Sequence, residues 1–140
     1  MNLLKEDITG SIGTDLYLCS IQWRAGTLIM DEPTDINGKD RGPDPYTTLL
    51  AALAGCTLST LRMYIDRKGW NIPTIKVRLN MEQSNVSGAI TTTIERHIDF
   101  GEVNAETRDR LLVIAGKCPV SKILENKILI PTDANYGNLA

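Results

Sequence analysis

The stretch TTLLAALAGCTLSTLRMYIDRKG, Thr47 to Gly69, decides the architecture. Leu49, Leu50, Leu53, Cys56, Thr57, Thr60, Leu61, Tyr64 and Ile65 recur at three- and four-residue steps, the spacing of one helix face. Arg67 and Lys68 put positive charge where the last carbonyls lack partners, and Gly69 supplies the stop. Thr47 or Thr48 is the expected N-cap. The upstream half, Leu49 to Gly55, holds almost no polar side chain. A helix that is apolar all round is buried on every side, which is hard in a chain of 140 residues without a second subunit. The helix therefore points to an obligate dimer.

Upstream, the chain reads as strand. Leu16 to Trp23 alternates imperfectly, Arg24-Ala25-Gly26 is suited to a hairpin turn, and Thr27 to Met30 returns as a second strand. A shorter strand is expected near Ile8 to Ile12. DINGKDRGPD, Asp35 to Asp44, is a polar loop closed by Pro45. Downstream, Ile75 to Glu82 and Ala89 to Phe100 alternate around the turn-forming Asn85-Val86-Ser87-Gly88. Asn104 is placed to cap a second helix running to about Gly116. Lys117-Cys118-Pro119 breaks it, and Val120 to Asn126 starts a third. Ile128 to Ile130 reads as a short strand before a frayed tail. Hairpins with grouped helices make this an α+β fold rather than a wound parallel sheet. No linker divides residues 1–140, so a single domain is expected.

Composition narrows the function classes. Hydrophobic residues make up 42% and charged residues 23%, as in an ordinary globular domain. The formal net charge of -2 is at odds with the concentrated basic face that nucleic acid requires. No apolar run approaches a membrane span of ~20 residues, and MNLLKEDITGS has no apolar signal-peptide core. The expected location is the cytosol, where thiols stay reduced.

Three cysteines, Cys19, Cys56 and Cys118, are too few and too irregularly spaced for a disulfide framework. No Cys/His cluster invites zinc. Cys118 precedes Pro119, a residue favoured at the first helical position, so Cys118 falls at an N-cap where free N–H groups favour a thiolate. Lys117 and Lys122 add positive charge nearby. The competing reading is a small capping residue without chemistry. Cys56 lies inside the long helix, where a cysteine usually serves as a small hydrophobe, and Cys19 reads as structural. His97, the one histidine, reads as solvent-facing or paired rather than catalytic.

At GPDPYTTLLAALAGCT, Gly42 to Thr57, the sequence resembles the OsmC/Ohr family, in which a Gly/Pro-rich loop leads into a long helix bearing the reactive cysteine. A CP dipeptide opening a later helix is the second signature, and it matches Cys118-Pro119 in KCPVSKIL. The segment MDEPTDINGKDRGP belongs to the same match, which spans about Tyr17 to Leu124. This resemblance implies an intertwined homodimer, long central helices wrapped by antiparallel sheet, with active sites at the subunit interface. It implies Cys56 as the peroxidatic and Cys118 as the resolving cysteine of an organic hydroperoxide reductase that serves in oxidative stress. An external dithiol would restore the pair, with no metal, flavin or haem as cofactor.

One position departs from the family. Tyr46 and Thr47 stand where active members usually carry a glutamate that pairs with an arginine beside the thiol. Arg24 and Arg41 are the candidates for that arginine, and Asp44 or Glu32 for the carboxylate. Two functions follow. Retention of both cysteines favours a thiol peroxidase using Cys56 and Cys118, assisted by Arg24 or Arg41. Loss of the glutamate favours a protein of the same fold that binds an apolar small molecule in the interface pocket.

Overall fold

In the computed structural model, which describes residues 1–134, helix α1 runs from Pro45 to Lys68. It starts earlier than the threonines suggest. The Asp44 carboxylate accepts from Thr47 N–H at 2.8 Å and from the Thr47 hydroxyl at 2.9 Å, so Asp44, not Thr47 or Thr48, is the cap. Pro45 then takes the first turn, where its missing N–H costs nothing. Gly69, at φ 68°, ends the helix in the left-handed region that glycine tolerates.

The chain divides into two compact units, residues 1–49 with the stretch from Ile130 onward, and residues 50–129. The first unit holds β1 (Thr9–Ile12), β2 (Cys19–Trp23) and β3 (Gly26–Met30), an antiparallel sheet in that order. The β2–β3 register pairs Trp23 with Gly26, leaving the two-residue turn Arg24-Ala25. β2 begins at Cys19 rather than Leu16, because Leu18 N–H closes a turn on the Asp15 carbonyl at 2.9 Å. The polar loop after β3 contains one short 3-10 turn, Thr34–Ile36, and then folds back along the strand. Gly42 lies so close to the Ile29 carbonyl that a Cβ would collide with it. Asp31, 2% exposed, anchors the loop: it accepts from Arg41 Nε at 2.6 Å and from three backbone N–H groups.

The second unit contains most of α1, the hairpin β4 (Lys76–Val86) and β5 (Ala89–Asp99), α2 (Ala105–Ala115) and α3 (Pro119–Leu124). Ser87 and Gly88 form the two-residue hairpin turn with φ of 53° and 84°, a left-handed pair as in a type I′ turn. Asn104 caps α2 by accepting from Thr107 N–H at 2.8 Å. Leu61, Tyr64 and Ile65 of α1 and Leu111, Ile114 and Ala115 of α2 meet Ile72 and Phe100 in one core. By length and composition alone α1 is apolar enough to cross a membrane, with a mean hydropathy of 1.3 over its best window. Its lower half nevertheless packs as the core helix of this unit.

One expectation needs correction. Ile128 to Ile130 is not a strand; all three residues are exposed and irregular, and no described strand pairs with them. Three residues without a partner strand cannot satisfy a ladder. The frayed tail proposed beyond falls largely on residues 135–140, outside the described residues. Within the chain the upstream half of α1 is covered only in part: Leu53 is buried, while Leu49, Ala51, Ala52 and Gly55 are exposed, on the half for which a second subunit was expected.

Candidate active site

Two cysteines 62 positions apart in sequence meet in the second unit. Cys56 sits on α1, one residue before the buried Thr57, and Cys118 is the N-cap of α3 with Pro119 at the helix start. The N–H of Val120, in the first turn of α3, points at Cys56 Sγ at 3.5 Å, and the two thiols are close enough to shift each other's acidity. Both are free, with Cys56 partly exposed and Cys118 fully buried.

The two sulfurs differ in acidity. Burial pushes the Cys56 thiol up, and the neighbouring Cys118 adds to that; the Val120 N–H opposes them without prevailing. Burial alone would raise Cys118 too, but it is outweighed by the Cys56 thiol, the Ser121 N–H and hydroxyl, and the Val120 N–H. Cys118 is therefore held below the ordinary thiol range, and Cys56 above it. The lysines expected to help are not among the leading causes; Lys122 Nζ lies 3.4 Å from Glu125 instead.

Arg96 is the residue that sequence reasoning missed. From β5, a single nitrogen, Nη1, donates to Thr57 Oγ1 and to Ser121 Oγ, each at 2.9 Å. Thr57 donates its own proton to the Leu53 carbonyl at 2.8 Å, and the Ser121 hydroxyl is one of the groups that hold the Cys118 thiol down. The signal was present in the alternation of β5: Ile94, Arg96 and Ile98 share the half-buried face, while Glu95 and His97 point outward. A charged side chain in the apolar register of a strand needs polar partners, and here it has two. His97, 3.7 Å from Glu95 and well exposed, is paired at the surface as expected.

Arg24 and Arg41 belong to the first unit. Arg24 lies over the Trp23 ring, 5.6 Å from its centroid. Arg41 is taken up by Asp31 and Asp15, each at 2.6 Å, and these carboxylates hold its guanidinium firmly protonated. Asp44 is occupied in capping α1. Cys19 lies in β2, outside the thiol pair. Among the described residues, no His/Cys/Asp/Glu group is arranged to hold a metal ion.

A groove of about 450 Å³ adjoins the Arg96 network, lined by Leu53, Ile94, Leu124, Arg96 and Ser121 with Thr92 and Glu125 at its polar side. It brings an apolar wall to the same residues that flank the thiols.

Residues 38–133, well over half of the chain, match the family model described as OsmC-like protein. The chain belongs to the OsmC-like family. Among curated proteins, none matches it. Solved OsmC-like structures superpose well. The organic hydroperoxide resistance protein OsmC of Legionella pneumophila shares 14% identity over 89% of this chain and 91% of its own, with a TM-score of 0.67. An OsmC-like protein of Mycoplasma pneumoniae shares 20% over 89% of each chain, at 0.66. The organic hydroperoxide resistance protein OhrB of Bacillus subtilis shares 15% over 87% of this chain and 91% of its own, at 0.64. At such identities the likeness speaks to fold: a long helix with antiparallel sheets in an α+β arrangement, as the sequence implied.

Proposed function

We propose that this OsmC-like protein is a thiol peroxidase that reduces organic hydroperoxides through Cys56 and Cys118. The supporting observation is the meeting of the two thiols: Val120 N–H, two residues past Cys118, reaches Cys56 Sγ at 3.5 Å, and each thiol shifts the other's acidity. Exposure and acidity disagree about their order of action. Acidity alone would make Cys118 the nucleophile, yet Cys118 is sealed from solvent and Cys56 is not. An attack needs contact with the peroxide, so Cys56 attacks.

The chemistry balances without a cofactor. Cys56 sulfur bonds to the distal oxygen, the O–O bond breaks, and the alkoxide leaves as an alcohol after taking a proton. Cys118 then displaces hydroxide from the Cys56 sulfenic acid, giving a disulfide and water. Two thiols have reduced one hydroperoxide, and an external dithiol returns the electrons. The apolar wall of Leu53, Ile94 and Leu124 suits an organic substituent better than hydrogen peroxide. The protein would act as a homodimer, which covers the exposed upstream face of α1, and would work in the cytosol.

The test is turnover of cumene hydroperoxide with dithiothreitol as reductant. Wild type is expected to consume it much faster than hydrogen peroxide, with Cys56→Ser inactive and Cys118→Ser strongly impaired. Equal, slow consumption by all three proteins would instead support the second reading, a small-molecule binder on the same fold. That reading has its own observations: Tyr46 and Thr47 replace the family glutamate, and burial pushes the Cys56 thiol up.

A further inference from the structure

We infer that Arg96 is a positioning residue for disulfide closure, tying the Cys56-bearing helix α1 and the Cys118-bearing helix α3 to one guanidinium nitrogen. The inference rests on the reading of Cys56 and Cys118 as a redox pair. Its geometry is independent of any peroxide. Thr57 follows Cys56 directly, and Ser121 lies three residues beyond Cys118. Both hydroxyls accept from Arg96 Nη1 at 2.9 Å, so the separation between these two points is set by one atom on a third element, β5.

Each acceptor is itself enclosed. Thr57 is fully buried and donates to the Leu53 carbonyl, while Ser121 is 5% exposed and its hydroxyl is among the groups that favour the Cys118 thiolate. Arg96 is held in turn by its register, opposite Leu79 with Ile94 and Ile98 on the same face. No carboxylate is paired with it in the described structure; the two hydroxyls take its place. A cation brought to a half-buried face, at a desolvation cost, and spent on two hydroxyls beside two cysteines acts on the geometry between them.

Closure joins Cys56–SOH and Cys118–SH as a disulfide with loss of water, and it requires the sulfurs to meet along a narrow range of approach. Reaction rates fall about 10²-fold when reacting atoms are misplaced by ~1 Å, so loosening one helix against the other should appear in this step. Attack on the peroxide by Cys56 needs no such alignment with Cys118.

The experiment equilibrates wild type, Arg96→Ala, Arg96→Lys and Thr57→Val with dithiothreitol redox buffers. It then times disulfide closure after a single addition of cumene hydroperoxide. Arg96→Ala is expected to shift the dithiol–disulfide equilibrium about tenfold toward the dithiol, roughly 30 mV, and to slow closure by at least that factor. Trapping with dimedone should show sulfenic acid forming at close to the wild-type rate. Arg96→Lys, which keeps a donor, should fall between the two. Thr57→Val removes one acceptor without touching either cysteine; it should shift the equilibrium in the same direction, and adding it to Arg96→Ala should change little. A merely structural role would lower the melting temperature and leave the potential alone.

The inference fails if Arg96→Ala and Thr57→Val both keep the wild-type potential and closure rate. It also fails if no Cys56–Cys118 disulfide forms even in oxidised dithiothreitol. Should Arg96→Ala not fold, Thr57→Val decides by the same potential. A wild-type protein that ignores the peroxide but closes its disulfide in the redox buffer would overturn the peroxidase and leave Arg96 tested by the equilibrium.

Discussion

At Cys118, three groups offset the burial that would otherwise raise the thiol and favour its thiolate instead: the Val120 and Ser121 N–H groups and the Ser121 hydroxyl. Cys56 adds the fourth, its own thiol. The pair therefore loses its first proton below the ordinary cysteine range of about 8.5 and its second above it. Ultraviolet thiolate absorbance in a Cys19→Ser background should show the low transition vanish in Cys118→Ala. In Cys56→Ala the same transition should move upward, since one of these groups is gone. Persistence of the low transition in Cys118→Ala would show that the acidic sulfur is Cys56. Much of this was legible. The family resemblance, not its helix position, brought Cys56 forward, but the N-cap position of Cys118 was readable from the residues, because Pro after a small residue at a helix start is a local signal. Arg96 was not, since its role depends on Thr57 and Ser121, which lie 39 and 25 positions away.

Helix starts and hairpin turns are where this sequence was most readable. Asn104 capped α2 as expected, and Ser87-Gly88 turned the β4–β5 hairpin. Errors arose where two local signals competed. Threonines 47 and 48 are good caps, but Asp44 before Pro45 is better, since a carboxylate accepts strongly and proline fits the first turn. Replacing Asn104 or Asp44 by alanine should each cost about 1 kcal/mol. Gly88→Ala should cost roughly 1–2 kcal/mol, because a Cβ disfavours the left-handed φ of 84°. Urea midpoints measure all three. An Asp44→Ala midpoint equal to wild type would mean that Thr47 or Thr48 takes over the cap. The failed strand at Ile128–Ile130 has a different cause: periodicity marks apolar residues but does not supply the neighbouring strand they need.

At the scale of the whole molecule, the exposed upstream face of α1 calls for a cover. Leu49, at 40% exposed, and Tyr46, at 70%, stand in water beside Ala51, Ala52 and Gly55, while Met63 is 71% exposed further along. A second copy is the proposed cover. Sedimentation should then give about twice 15.4 kDa. Gly55 offers a sharper probe, because within one chain a Cβ there meets nothing within 4 Å. In a monomer Gly55→Ala should stabilise the helix by about 1 kcal/mol; in a dimer with close backbone approach it should weaken association instead. A monomeric wild type stabilised by Gly55→Ala would refute the dimer. The central claim, that Cys56 and Cys118 act as one redox pair on organic hydroperoxides, is tested most directly by counting free thiols after substoichiometric cumene hydroperoxide. Two thiols should be lost per peroxide consumed, with Cys56 and Cys118 joined in the digest. Cys118→Ser should stop at a sulfenic acid, and Cys56→Ser should lose nothing. Slow and equal thiol loss from all three proteins would contradict the account.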